Sequence, residues 1–145
     1  MTKRGRQGTS RRVSKAVYAG KSKHHGSAPR AHFERDPEDG KMVGKCASGV
    51  SQELAQQLLE DAVPYSSPGW RKGRPQKLFN VHQGVPYRAH GAGNRYHAFP
   101  ELPENIPPQV EEALRNRAED AGDVEVFDEW MRSDHGRDED DVGRF

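Results

Sequence analysis

Apolar residues fall into three groups along this chain, each with its own spacing. The first recurs every three or four positions: Val50, Leu54, Ala55, Leu58, Leu59, Ala62 and Val63. That interval is one packed face of a helix. Ser48 or Ser51 can cap its start, since a hydroxyl accepts from the unpaired N–H groups of a first turn. Pro64 ends it, because it has no N–H for the next turn. The second group alternates, over residues 77–82, 85–90 and 95–99. Gln83-Gly84 between two apolar runs predicts a two-residue hairpin turn. Gly91-Ala92-Gly93-Asn94 predicts a four-residue second turn, and Pro100 closes the third strand. Pro86, which cannot donate to a ladder, points to an edge or a bulge near that position. The third group is helical again. Ile106, Val110, Ala113, Leu114 and Ala118 form one stripe, capped by Asn105 with Pro107 or Pro108 in the first turn and ended at Gly122. Asp123 then opens a shorter helix carrying Val124, Phe127, Trp130 and Met131. A turn at residues 36–40 and a short strand over residues 41–46 precede all of these. The pattern predicts an α+β fold: a three-stranded antiparallel meander packed with about three helices.

Outside these groups the pattern stops. Residues 1–35 are rich in Gly, Ser, Lys, Arg and His and read as a disordered basic arm. Residues 36–132 form the single folded domain, and residues 133–145 a frayed acidic tail. The chain has 145 residues, of which 32% are hydrophobic, and its mean hydropathy is −1.07. Such a chain builds a core from only part of its length. Its net charge of +1 hides an asymmetry, with ten Lys/Arg against one acid in residues 1–35 and five against fifteen in residues 101–145. A basic arm of this density associates with polyanions or serves as a solubilising tail.

No apolar run approaches the roughly 18 residues of a membrane span, so no membrane partner is expected. The N-terminus lacks the apolar segment of a signal peptide. The expected site of action is the cytoplasm, and any export proceeds without a signal peptide. A single cysteine, Cys46, rules out an intrachain disulfide and a Cys-rich zinc site. His24, His25 and His32 lie in the arm without metal-site spacing, and no glycine-rich phosphate loop is present. No metal and no small-molecule cofactor are expected.

Chemistry is sought on the alternating segments. With a two-residue first turn and a four-residue second, Phe79 lies opposite Arg88, Asn80 opposite Tyr87, His90 opposite Arg95, and Arg88 opposite His97. One face then carries Arg88, His90, Arg95 and His97 with Phe79, Val81 and Phe99. Like charges opposed across a sheet cost stability, so a fold has a structural reason to avoid this set. Histidine titrates near neutrality and moves protons. Arginine holds phosphate and stabilises charge in a transition state. RNA brings its own nucleophile, the 2′-hydroxyl. His90 and His97 as acid and base, with Arg88 and Arg95 as clamp, would cleave it without metal. Tyr87 or His82 takes over if the register slips by one residue and exchanges the faces. The basic loop at residues 64–76 offers Trp70, Arg71, Lys72 and Arg74 for stacking and charge, with Tyr96 as a further substrate contact. The competing expectation is ordinary: Arg and His form the wet face of a strand, Tyr87, Tyr96 and Phe99 belong to the core, and Trp70 folds back over its edge.

Three strings have a familiar look: Gly44-Lys45-Cys46 with Ala55-Gln56-Gln57-Leu58-Leu59, then residues 78–89 (LFNVHQGVPYRA), then Tyr96-His97-Ala98-Phe99-Pro100. They resemble C-terminal toxin modules of interbacterial polymorphic toxin systems, over roughly residues 32–132. The resemblance implies a toxin-like domain, often a ribonuclease with a small His/Arg/Tyr site, here His82, Tyr87, Arg88, Tyr96 and His97. It also implies RNA as substrate and an immunity or antitoxin protein as partner. Two other functions remain open. One is a non-catalytic module binding nucleic acid or the ribosome. The other is an ADP-ribosyltransferase, whose arginine-bearing strand Val85-Pro86-Tyr87-Arg88 resembles and which also needs a glutamate on a later strand.

Overall fold

The computed structural model describes residues 17–19, 28–46, 49–92 and 95–135. Among these, the elements in chain order are β1 (Val17–Tyr18), β2 (His32–Arg35), β3 (Met42–Lys45), α1 (Gln52–Glu60), β4 (Val63–Tyr65), β5 (Lys77–His82), β6 (Val85–Ala92), β7 (Arg95–Pro100), α2 (Pro108–Asp120) and α3 (Val124–Arg132). The fold is α+β. The expected meander β5-β6-β7 forms the middle of a five-stranded sheet of order β1-β7-β6-β5-β4, and β2-β3 form a separate antiparallel pair.

The β5-β6 turn follows from its residues. Gln83 and Gly84 both have positive φ, 52° and 83°, as a type I′ hairpin turn requires. Glycine is needed at 84 for a second reason: a Cβ there would lie 2.6 Å from Cβ of Val126. The register of this hairpin is the expected one, with Phe79 opposite Arg88 and His82 opposite Val85. The second hairpin differs by two residues. β6 continues through Ala92, which faces Arg95, so His90 faces His97 and Arg88 faces Phe99. Only residues 93 and 94, outside the described set, connect the strands. A slip of two preserves the side-chain alternation, so the faces stay as expected while the opposed partners change.

Pro86 lies in the central strand β6 in an unbroken register, in place of the edge or bulge expected near it. It faces Val81, just beyond the last β6-β7 pair, Tyr87 with Pro100. No ladder partner therefore requires its missing N–H, and its carbonyl accepts from Glu101 N–H at 3.0 Å.

Ser51, of the two candidates, caps α1; its Oγ accepts from Leu54 N–H at 3.1 Å. The helix ends at Glu60, four residues before Pro64. Val63 and Pro64 instead belong to edge strand β4, paired with Phe79 and Leu78. Proline is tolerated at such an edge. At the other edge β1 runs parallel to β7, Val17 beside Arg95. β1 and β2 lie within residues 1–35, so ordered structure enters the expected disordered arm; residues 1–16 and 20–27 of that arm are outside the described set. It also enters the tail expected from residue 133. Ser133 N–H bonds to Glu129 C=O, and the His135 ring packs on Trp130 at 4.2 Å. Residues 136–145 are outside the described set. α2 begins two residues later than expected, with Pro107 as N-cap and Pro108 first in the helix. Asn105 sits in a preceding 3₁₀ turn, Pro103–Asn105. Gly122 closes the helix with φ 82°.

The sheet is covered on both faces. Leu59 and Ala62, from α1 and just beyond it, pack on Leu78, Ala89 and Tyr96. Val110, Leu114 and Ala118 of α2 and Phe127 of α3 pack on Phe79. Phe79, Leu114 and Phe127 have no exposed surface, and each such side chain contributes about 1.5–3 kcal/mol by leaving water. The β2-β3 pair docks against the end of β7. A Cβ on Gly44 would lie 2.6 Å from the Pro100 carbonyl oxygen, so only glycine permits this approach. Phe33 of β2 meets Trp130 of α3 at 5.5 Å between ring centroids.

Candidate active site

The sheet face that carries Phe79 is covered by α2 and α3 at that residue. Beside it, under the β2-β3 pair, Arg88, His90, His97 and Phe99 line a cleft whose far wall includes Met42, Val43 and Gly44. Strand alternation puts all four on one face, and the observed register sets the two histidines side by side. Their rings meet edge to face, 4.5 Å between centroids at 79°. Phe99 supports both, 5.5 Å from His90 and 6.1 Å from His97. The Arg88 guanidinium lies 4.8 Å over the same Phe99 ring, a cation–π contact.

Glu101 forms the base of the cleft. It is 3% exposed, in a class of residue almost never fully buried without a partner. Its Oε1 accepts from Leu102 N–H at 2.8 Å and from Asn105 Nδ2 at 3.2 Å. Its Oε2 lies 2.7 Å from Arg88 Nε. The approach is not aligned as a hydrogen bond, and both atoms are sealed from solvent. Charge attraction in a low-dielectric setting therefore holds the pair. Glu101 is fixed from behind as well, because Trp130 Nε1 donates to its backbone carbonyl at 2.9 Å. With Oε1 and Oε2 both directed to these groups, the carboxylate orients Arg88. A catalytic ADP-ribosyltransferase glutamate would face a dinucleotide instead, so the geometry does not favour that reading.

Lys77 belongs to this cluster too. It alternates with Leu78 and so shares the Phe79 face, and extending the Leu78–Ala89 pair by one residue sets it beside His90. Burial depresses its pKa, the Arg88 charge depresses it further, and Glu101 acts in the opposite sense. Neither Glu101 nor Lys77 stood out as a site residue in the sequence. The available signal was that Glu101 is the first acid after 39 residues, 62–100, that contain none.

The remaining candidates are placed elsewhere. Tyr87 and Tyr96 are 7% and 1% exposed and face away from Arg88. Tyr96 packs in the core under α1, its hydroxyl donating to Pro75 C=O at 3.2 Å. His82 and Tyr87 line a second cleft with Phe33, Trp130 and His135. Burial lowers the pKa of His82, with Asp123 opposing, and also that of His135. Arg95 shares the face of His97 but is exposed, at the start of β7. Trp70 folds back on its own loop. Its indole N–H donates to Arg74 C=O at 2.6 Å, and the Arg74 guanidinium lies 5.4 Å from its ring. It is a staple for the loop. The loop is tied further by Gln76, whose Oε1 accepts from Ser67 N–H and whose N–H donates to Ser66 Oγ. Arg71 and Lys72 are exposed on it.

Among the described residues, no three His, Cys, Asp or Glu side chains are grouped to hold a metal ion, and no helix is long and apolar enough to cross a membrane. No protein-family model, curated protein or solved structure matches this chain.

Proposed function

We propose that the cleft is the active site of a toxin-like endoribonuclease that needs no metal. The observation that carries this reading is the pair of histidines in ring contact beside an arginine held by a buried carboxylate. One histidine removes the proton of an RNA 2′-hydroxyl and the other protonates the departing 5′-oxygen. The 2′-oxygen attacks phosphorus as the P–O5′ bond breaks, so the products are a 2′,3′-cyclic phosphate and a 5′-hydroxyl. Because the rings touch, the phosphodiester sits above the pair instead of between them. Arg88, its direction set by Glu101, stabilises the negative charge that builds on the non-bridging phosphate oxygens. The resemblance to polymorphic-toxin modules accords with this reading and implies an immunity protein as the natural partner.

The test is incubation of the purified protein with RNA in EDTA, with fragment ends identified chemically. Wild type should yield cyclic phosphate ends, and His90→Ala and His97→Ala should each slow cleavage by about 10²–10⁴-fold. RNA left intact by wild type refutes the reading. RNA bound but uncleaved would assign the cleft to a binding module.

A further inference from the structure

Residues 62–100 hold six Lys/Arg and no Asp or Glu, in a chain that has 22 acids. Residues 101–135 hold eleven acids and three Lys/Arg. The fold turns this division along the sequence into a division in space. The acid-free segment is β4 to β7 with the loop between β4 and β5; the acidic one is α2, α3 and their connections.

Within the positive half, the cations gather at one end of the sheet. Tyr65 pairs with Lys77, which opens β5. His90 pairs with His97, and Ala92 with Arg95, at the same end. The loop bearing Arg71 and Lys72 leaves β4 and returns to β5 at this end; its last residues are tied on the α1 side, where the Tyr96 hydroxyl donates to Pro75 C=O, so a strand reaching the loop from the histidines rounds the end of the sheet. The β2-β3 wall of the cleft carries Asp36 and Asp39 against one cation, Lys41, so it attracts an anion less than the acid-free end does.

We infer that single-stranded RNA runs from the His90/His97 pair past Lys77 and Arg95 onto Arg71 and Lys72 of the β4-β5 loop. This inference rests on the ribonuclease reading and adds the substrate class and its path. Size favours one strand over two. Three neighbouring strands span only about 10 Å at roughly 4.8 Å per step, whereas recognition of an RNA duplex spreads over about 16 base pairs and two minor grooves. Trp70 and Arg74 occupy each other, so the track works through phosphate charge, without base stacking, and tolerates sequence.

The probe is a fluorescent, fully 2′-O-methylated RNA octamer, which cannot be cleaved, titrated at several salt concentrations. Four contributing cations (Arg71, Lys72, Lys77, Arg95), with Arg88 already compensated by Glu101, give a slope of log K against log [salt] of about −2.8, at roughly −0.7 per phosphate contact on a single strand. Arg71→Gln/Lys72→Gln should make the slope less negative by about 1.4. Arg115→Gln/Arg132→Gln, on the acidic layer, should not weaken binding. The same octamer in a duplex should bind more weakly. An unchanged slope in the loop variant, equal binding of duplex, or no binding by wild type overturns the path. Because this probe is not cleaved, a normal salt response with no cyclic-phosphate products from ordinary RNA would refute the ribonuclease reading alone.

Discussion

Replacing Glu101 with Gln tests the site at its base. The Gln carbonyl can still accept from Leu102 N–H and Asn105 Nδ2, the two bonds now made by Oε1. Its NH₂ then points at Arg88 Nε, where Oε2 now sits at 2.7 Å. A carboxylate is replaced by a donor facing a donor, and the guanidinium loses its counter-charge. Breaking one side of a buried ion pair costs about 3–5 kcal/mol. The Arg88 side chain keeps 18% of its surface in solvent and Glu101 only 4%, so the lower end, about 3 kcal/mol, applies. With an m-value near 1.5 kcal/mol/M, that moves the urea midpoint by about 2 M, read by circular dichroism. Arg88→Met should cost a similar amount by stranding the carboxylate. The double variant should be more stable than the sum of the two losses implies, with a coupling of 1–3 kcal/mol. Additive losses, or a cost for Glu101→Gln below about 1 kcal/mol, would show that the pair is screened by water. The account of Arg88 orientation would then fail.

Other outcomes follow from particular contacts. Gly44→Ala places a Cβ 2.6 Å from the Pro100 carbonyl; we expect a loss of about 1–3 kcal/mol in thermal unfolding, and a wild-type melting temperature would contradict the tight β3-β7 approach. Cys46 is 8% exposed and burial pushes its thiol up to about 11; iodoacetamide at pH 8 should modify it only in urea, and rapid native labelling would contradict this. Because its folded pKa is raised, the stability it contributes is complete below the unfolded value near 9 and is lost as pH rises through about 11. His82 and His135 are shifted the other way by burial. The unfolded chain binds their protons more readily, so stability should fall as pH drops below about 6.5. Melting temperatures of His82→Gln and His135→Gln between pH 7.5 and 5 should show a flatter decline than wild type.

Local chemistry alone determined several features of this protein. A serine, Ser48 or Ser51, before an i, i+4 stripe predicts α1, because cap and stripe are satisfied within a few residues of each other, and the fold selects Ser51. Gln83-Gly84 between two alternating runs sets the β5-β6 register, because a two-residue turn leaves one choice. Alternation placed Arg88, His90 and His97 on one face, and that assignment survived the two-residue slip of the next hairpin because two is the period of a strand. What required tertiary structure was everything joined across long separations. Val63 and Pro64 look like a helix end until Leu78 and Phe79 recruit them as an edge strand. Val17 and Tyr18 carry no strand signal until β7 offers a partner. Tyr87 and His82 share residue types with the site but lie on the other face and line a second cleft. Glu101 reads as a surface acid after a proline; only the closing of β7 beside β6, with α3 behind, buries it against Arg88. Periodicity records which face a residue takes, whereas the pairing of distant segments depends on how those faces cover one another. The sequence therefore held the face of this site, and the fold supplied the partners that meet on it.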